Sequence, residues 1–111
     1  MVQVATCKLR YAPIAATKVQ RLMGVLRGLS VGEAISLLRV LPQRGARMLE
    51  GVILSAGANA LNKGSRNVES LRITSLTADF GPMRKRIRAK SRGMAYVERN
   101  RTTHITCTIG E

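Results

Sequence analysis

The chain has 111 residues, 45% of them hydrophobic, and sets 19 Lys and Arg against 6 Asp and Glu for a net charge of +13. That length suffices for one modest core, so residues 1–111 are expected to form a single domain. An excess of one sign repels itself in a compact state unless a polyanion neutralises it; nucleic acid is the usual polyanion, with an anionic membrane surface as the rival. The membrane is disfavoured. No apolar run approaches the ~20 residues of a spanning helix, a basic amphipathic helix is lacking, and Met1 to Tyr11 alternates polar and apolar residues unlike an export signal. Cys7 and Cys107 are therefore expected to be reduced thiols in a cytosolic-type compartment, filling small buried positions in strands. Two isolated cysteines fall short of the four closely spaced ligands of a zinc site, so neither metal nor cofactor is expected.

In chain order, residues 2–11 favour a strand closed by Pro13. From Thr17 the period changes: Val19, Leu22, Met23 and Leu26 lie on one helical face, and Gly28 follows as a C-terminal signal. Ser30-Val31-Gly32-Glu33 reads as a capping box, with Ser30 holding a free N–H and Glu33 reaching back. A short second helix follows, with an apolar stripe of Val31, Ala34, Ile35 and Leu38. Pro42 ends it and opens a third, spanning roughly 42–62, along Ala46, Leu49, Val52, Ile53, Ala56 and Ala60. Gly45, Gly51 and Gly57 inside that helix each cost ~1 kcal/mol relative to Ala, which suggests close backbone approach. Residues 62–67 are turn-rich. Leu71 and Ile73 then alternate with polar neighbours, and Thr103, Ile105, Cys107 and Ile109 do the same near the end, as half-buried strands should. With only Tyr11, Phe80 and Tyr96 as aromatics, the core must consist of Leu, Ile, Val, Met and Ala. Helices in one block with strands on either side predict an α+β fold, three helices packed on one face of a small antiparallel sheet.

Between Gly81 and Arg101 the composition shifts. Arg84, Lys85, Arg86, Arg88, Lys90, Arg92, Arg99 and Arg101 face a single acid, Glu98, so this stretch holds a net +7 of the chain's +13. Ser91-Arg92-Gly93 is a turn between extended runs. The simplest geometry is a long β-hairpin at about 81–101 that continues the flanking strands, each arm of about ten residues projecting ~30 Å. Two strands alone are marginal in water, and like charge weakens them further, so the arm needs a partner to be ordered. Arginine outnumbers lysine six to two, which suits bidentate pairing with phosphate and stacking on bases.

Catalysis has little to draw on. His104 is the only histidine and falls on the polar face of its strand. Asp79 has no second carboxylate nearby for acid–base work, and no phosphate-loop pattern follows Gly81-Pro82. A non-enzymatic role is expected.

The strings Gly81-Pro82-Met83-Arg84-Lys85-Arg86, Arg92-Gly93-Met94-Ala95 and Arg101-Thr102-Thr103-His104-Ile105-Thr106 resemble the C-terminal signature of the large-subunit ribosomal protein L-twenty-two family. Arg10-Tyr11, Lys18-Val19, Arg27-Gly28, Ser30-Val31 and Glu33-Ala34 resemble its N-terminal block. Ser55-Ala56, Ala58-Asn59-Ala60 and Asn62 are similar to its long helix. The resemblance implies a three-helix, three-stranded domain on the large subunit whose hairpin penetrates ribosomal RNA and lines the nascent-peptide exit tunnel. Its partners would be large-subunit ribosomal RNA, neighbouring large-subunit proteins and the nascent peptide, in a cytoplasmic or organellar ribosome, with the compact length leaning to the bacterial type. Carried over by position, RNA contacts fall to Arg10, Lys18, Arg84, Lys85, Arg86, Arg88, Lys90, Arg92, Arg99, Arg101, Thr102 and His104. The tunnel tip falls to Lys90, Ser91, Arg92, Gly93 and Met94. The chain departs from the family pattern at Ala15-Ala16-Thr17-Lys18, which replaces Ser-Pro-Arg-Lys. It departs again at Ala89, Met94 and Asn100, where proline, arginine and lysine are usual. The competing reading is a DNA-architectural protein with a basic β-arm in the minor groove, for which Met94 would be the one apolar wedge.

Overall fold

A computed structural model describes residues 3–64, 67 and 70–110. Among these the chain runs β1 (Gln3–Ala12), α1 (Ala16–Leu26), α2 (Val31–Val40), α3 (Arg44–Asn62), β2 (Arg72–Phe80), β3 (Arg84–Ala89), β4 (Ala95–Asn100) and β5 (Thr103–Gly110). Part of the turn-rich segment 62–67, and the first residue of the strand expected over 2–11, lie outside the described residues.

The main sheet has the order β1-β5-β2, every pair antiparallel. Alternation along β5 sends Thr103, Ile105, Cys107 and Ile109 inward and leaves His104 and Thr106 half-buried on the other face. Three helices cover the inner face, α3 against β1 and β5, α1 against β2, and α2 against α3. Their apolar stripes supply the core: Val19, Met23 and Leu26 from α1, Leu38 from α2, and Leu49, Ile53 and Ala56 from α3, all at most 1% exposed. No aromatic belongs to it. The α+β arrangement of helices on one face of an antiparallel sheet is the expected one.

Local signals act largely as the sequence implies. Ser30 Oγ accepts the Glu33 N–H at 3.3 Å, starting α2. The Glu33 carboxylate makes no return bond among the described residues. The junction is held instead by Val31 N–H to the Leu71 carbonyl at 2.8 Å and Ile73 N–H to the Leu29 carbonyl at 3.0 Å. Proline holds the preceding Leu41 out of the helical region and so ends α2. The third helix begins at Arg44 rather than 42, because Gln43 is extended at ψ 142° and serves as its N-cap, leaving Pro42 before the first turn. At Gly45 a Cβ would lie 3.4 Å from the Ile14 and Leu22 side chains, an ordinary packing distance and not an unusually close approach, and Gly51 faces open space.

The largest difference concerns the hairpin. Its arms are six residues each and form a separate two-stranded sheet, β3–β4, rather than continuing β2 and β5. The ladder breaks at residues 81–83 and 101–102, since Pro82 has no N–H to donate. The paired arms therefore span ~20 Å at ~3.3 Å per residue, and they stretch the molecule to 63 Å against 25 and 19 Å in its other dimensions.

Cys7 and Cys107 face each other in register across β1 and β5, both as free thiols. Burial, and secondarily the Cys7 thiol, push Cys107 from 9.0 up to about 12. Above pH 9 the unfolded chain releases this proton while the folded chain keeps it, so stability is complete below that pH and falls as pH rises toward 12. Denaturant titrations at increasing pH should show an alkaline loss approaching ~1.4 kcal/mol per pH unit that Cys107→Val removes. An equal alkaline slope in the variant would show that Cys107 is not its source.

Candidate nucleic-acid interface

The register Arg84↔Asn100, Lys85↔Arg99, Arg86↔Glu98, Ile87↔Val97, Arg88↔Tyr96 and Ala89↔Ala95 divides the hairpin into two faces. On one, Arg84, Arg86 and Arg88 stand in a row opposite Asn100, Glu98 and Tyr96. On the other, Lys85 and Arg99 are directly opposed near the root, followed outward by Ile87 with Val97 and Ala89 with Ala95. Like charges in opposed positions destabilise a strand pair. Every residue of β3 and β4 is exposed except the half-buried Glu98, which pairs with Arg88. The Lys90 ammonium lies 4.6 Å from the centre of the Tyr96 ring.

The tip closes between Lys90 and Met94, where the Lys90 N–H donates to the Met94 carbonyl at 2.6 Å. Ser91–Gly93 makes a single tight turn with Arg92 at φ +62° and Gly93 at φ +74°. Left-handed backbone costs a residue with a side chain roughly 1–2 kcal/mol, and the glycine beside Arg92 avoids a second such penalty. The expected tip residues, Lys90 to Met94, are thus brought together at the end farthest from the core.

At the root, the Gly81 N–H donates to the Thr102 carbonyl at 3.0 Å and the Thr102 hydroxyl donates to the Pro82 carbonyl at 2.6 Å. One residue on, the buried Thr103 hydroxyl donates to the Ile14 carbonyl at 2.6 Å. The Tyr11 N–H donates to His104 Nδ1 at 3.1 Å, and the two rings meet edge to face at 4.8 Å. Tyr11 has φ +58° and falls where the β1–β5 register shifts between Leu9 and Ala12, a bulge that turns its ring outward. Thr102 and His104 thus already hold the root in place through one polar atom each.

Arg10 is exposed on β1, apart from the hairpin. Lys18, at the start of α1, lines an open groove of about 1370 Å³ together with Arg84, Arg99 and Arg101 of the hairpin and its root; Arg10 takes no part in it. Sequence reasoning missed two further cations of this groove, Arg21 and Arg44. Arg21 sits three residues after Lys18, a spacing that places both on one helix face. Arg44 had no such signal, because only tertiary packing brings α3 beside α1. Other arginines are taken up internally: Arg27 binds the Leu76 carbonyl, Arg72 the Gly28 carbonyl, and Arg47 the Leu38 and Leu41 carbonyls at the end of α2. Among the described residues no group of three potential ligands is gathered for a metal ion, and no helix is long and apolar enough to cross a membrane.

Gly81 has no room for a side chain. A Cβ there would lie 2.4 Å from Thr102 Oγ1 and 3.2 Å from the Thr102 backbone. Gly81→Ala should therefore lower stability by ~1–3 kcal/mol in denaturant unfolding. A loss under ~0.5 kcal/mol would mean that the root yields more readily than this packing implies.

Residues 7–110 match the family described as Ribosomal protein L22p/L17e. The chain is 44% identical over 110 residues to the large ribosomal subunit protein uL22 of Caldicellulosiruptor saccharolyticus, covering 99% of this chain and 90% of the relative. It is 46% identical over 99 residues to the protein of the same name from Rhodopirellula baltica, covering 85% and 83%.

Proposed function

Because this chain belongs to the ribosomal protein L22p/L17e family, we propose that it is a structural, non-catalytic constituent of the large ribosomal subunit, anchored in ribosomal RNA by its basic hairpin. The globular part serves as the seat, and the hairpin is an extension of that one domain. Its arms lie within folded RNA. The tip at Lys90–Met94 reaches the wall of the exit tunnel, beside the nascent peptide, and the remaining surface meets neighbouring large-subunit proteins.

The observation that carries this reading is the exposed, one-signed hairpin. Lys85 opposes Arg99, three arginines share the other face, and one carboxylate is available to them. Phosphates threaded between these cations convert repulsion into charge-assisted hydrogen bonds, and guanidinium groups can take phosphate oxygens two at a time. A polyanion that surrounds both faces suits this geometry better than a flat anionic surface, which would neutralise only one. The protein supports subunit assembly in the same way: its cations draw RNA segments around the arm, and the arm gains its order as the RNA folds about it.

Replacing Lys85, Arg86 and Arg88 together by Gln should weaken binding to large-subunit ribosomal RNA and reduce its logarithmic salt slope by about 2–3, near 0.7–0.9 for each phosphate no longer neutralised. Filter binding at several salt concentrations measures this, with duplex DNA as competitor. An unchanged slope would remove the hairpin from the interface, and preference for the DNA would favour a DNA-architectural role.

A further inference from the structure

All three aromatic side chains of this protein are at its surface, Tyr11 at 61%, Phe80 at 73% and Tyr96 at 41% exposure. Rings are the side chains that gain most from burial, so their exclusion from an aliphatic core asks what each does outside it. Tyr96 already lies beneath Lys90. Tyr11 is the one fixed by its backbone: a left-handed residue at a bulge, its N–H bound to His104 and its ring packed against the imidazole. It stands on the groove between the hairpin root and the starts of α1 and α3.

The groove's lining divides by chemistry. Lys18, Arg21, Arg44, Arg84, Arg99 and Arg101 supply six cations, and no carboxylate lies among the lining residues. None of the six is held by an ion pair among the described residues, in contrast to Arg39, Arg47 and Arg88. Pro13, Ile14, Ala15 and Leu22 contribute apolar surface, and Gln43 and Asn100 contribute amides.

We propose that this groove holds an unpaired stretch of RNA, with a base stacked on Tyr11 and against the apolar wall and its flanking phosphates on the cations. The inference rests on the ribosomal-RNA reading above and assigns the groove a different ligand form from the hairpin. An RNA duplex offers the protein phosphates and sugars, for which cations alone suffice. An aromatic platform beside apolar wall is of use only to a base that has left its stack, and stacking on such a platform is largely indifferent to which base it is. Amide groups at the margin can then meet the edge of the displaced base.

The test uses the full-length protein and two fluorescent probes, a single-stranded oligouridylate of about ten nucleotides and an RNA duplex of about 16 base pairs. Tyr11→Asn removes the ring but keeps the N–H to His104, and Asn tolerates left-handed backbone, so unfolding curves should stay close to those of the parent. Arg21→Gln with Arg44→Gln removes two groove cations that belong to α1 and α3 and not to the hairpin strands. Lys85→Gln with Arg86→Gln and Arg88→Gln alters the hairpin alone. Tyr11→Asn should weaken single-strand binding about tenfold while leaving duplex binding within about twofold. The Arg21/Arg44 variant should lower the single-strand salt slope by about 1.4. If both groove variants bind the single strand like the parent while the hairpin variant weakens, the groove proposal is overturned and the ribosomal-RNA reading stands. Equal losses on duplex and single strand would overturn the assignment to unpaired RNA. If no variant weakens either probe, both readings fall.

Discussion

Lys85 and Arg99 confront each other across the two strands of the hairpin, and Arg84, Arg86 and Arg88 are ranged along its other face with a single carboxylate among them. A two-stranded ribbon has no second layer in which to bury apolar surface, and this one has little to bury: Ile87 and Val97 are 80% and 50% exposed. Backbone hydrogen bonds and the tip turn must then hold the strands against their own charge. Such a balance is marginal in water and favourable once anions stand between the cations. The shape of the hairpin and its ligand are in this sense one problem. The rest of the molecule is arranged to present it.

The presentation is made at the root. Pro82 interrupts the ladder, so the arms are a separate sheet and their direction depends on a few contacts: Gly81 against Thr102, Thr102 to Pro82, Thr103 to Ile14, and Tyr11 on His104. The first two join the linkers at the base of the arms to each other. The last two fix β5, from which the returning arm leads, to the turn before α1 and to β1, elements that the aliphatic core holds firmly. The cations divide in a corresponding way. Arg47 and Arg72 close carbonyls left open at the ends of α2 and α1, and Arg27 closes one on the open edge of β2, while the hairpin and groove arginines stay at the surface. A net charge of +13 is thus partly structural and partly reserved for a partner.

Much of this was legible in the residues. Period 3.6 in Val19, Met23 and Leu26 and period 2 in Thr103 to Ile109 place helices and strand because burial acts on one face of each. The charge of 84–101 marks the hairpin, and Ser91-Arg92-Gly93 marks its tip. What the residues did not disclose depends on contacts far apart in sequence. The ladder break at Pro82 required knowing that Gly81 meets Thr102. The groove required knowing that α1, α3 and the root converge, which no local pattern encodes. Tyr11 reads as one more residue in an alternating strand, and only the register shift beside it shows that its backbone is left-handed. Gly51 gave the opposite lesson, a costly glycine with no close neighbour to account for it.

The central claim is that the hairpin takes its order from bound RNA while the core orders itself. Amide hydrogen exchange of the full-length protein, alone and with large-subunit ribosomal RNA, addresses it directly. In the free protein the amides of β3 and β4 should exchange far faster than those of the central strand β5, and RNA should slow them to a comparable rate. Hairpin amides already as slow as those of β5 in the free protein would contradict it.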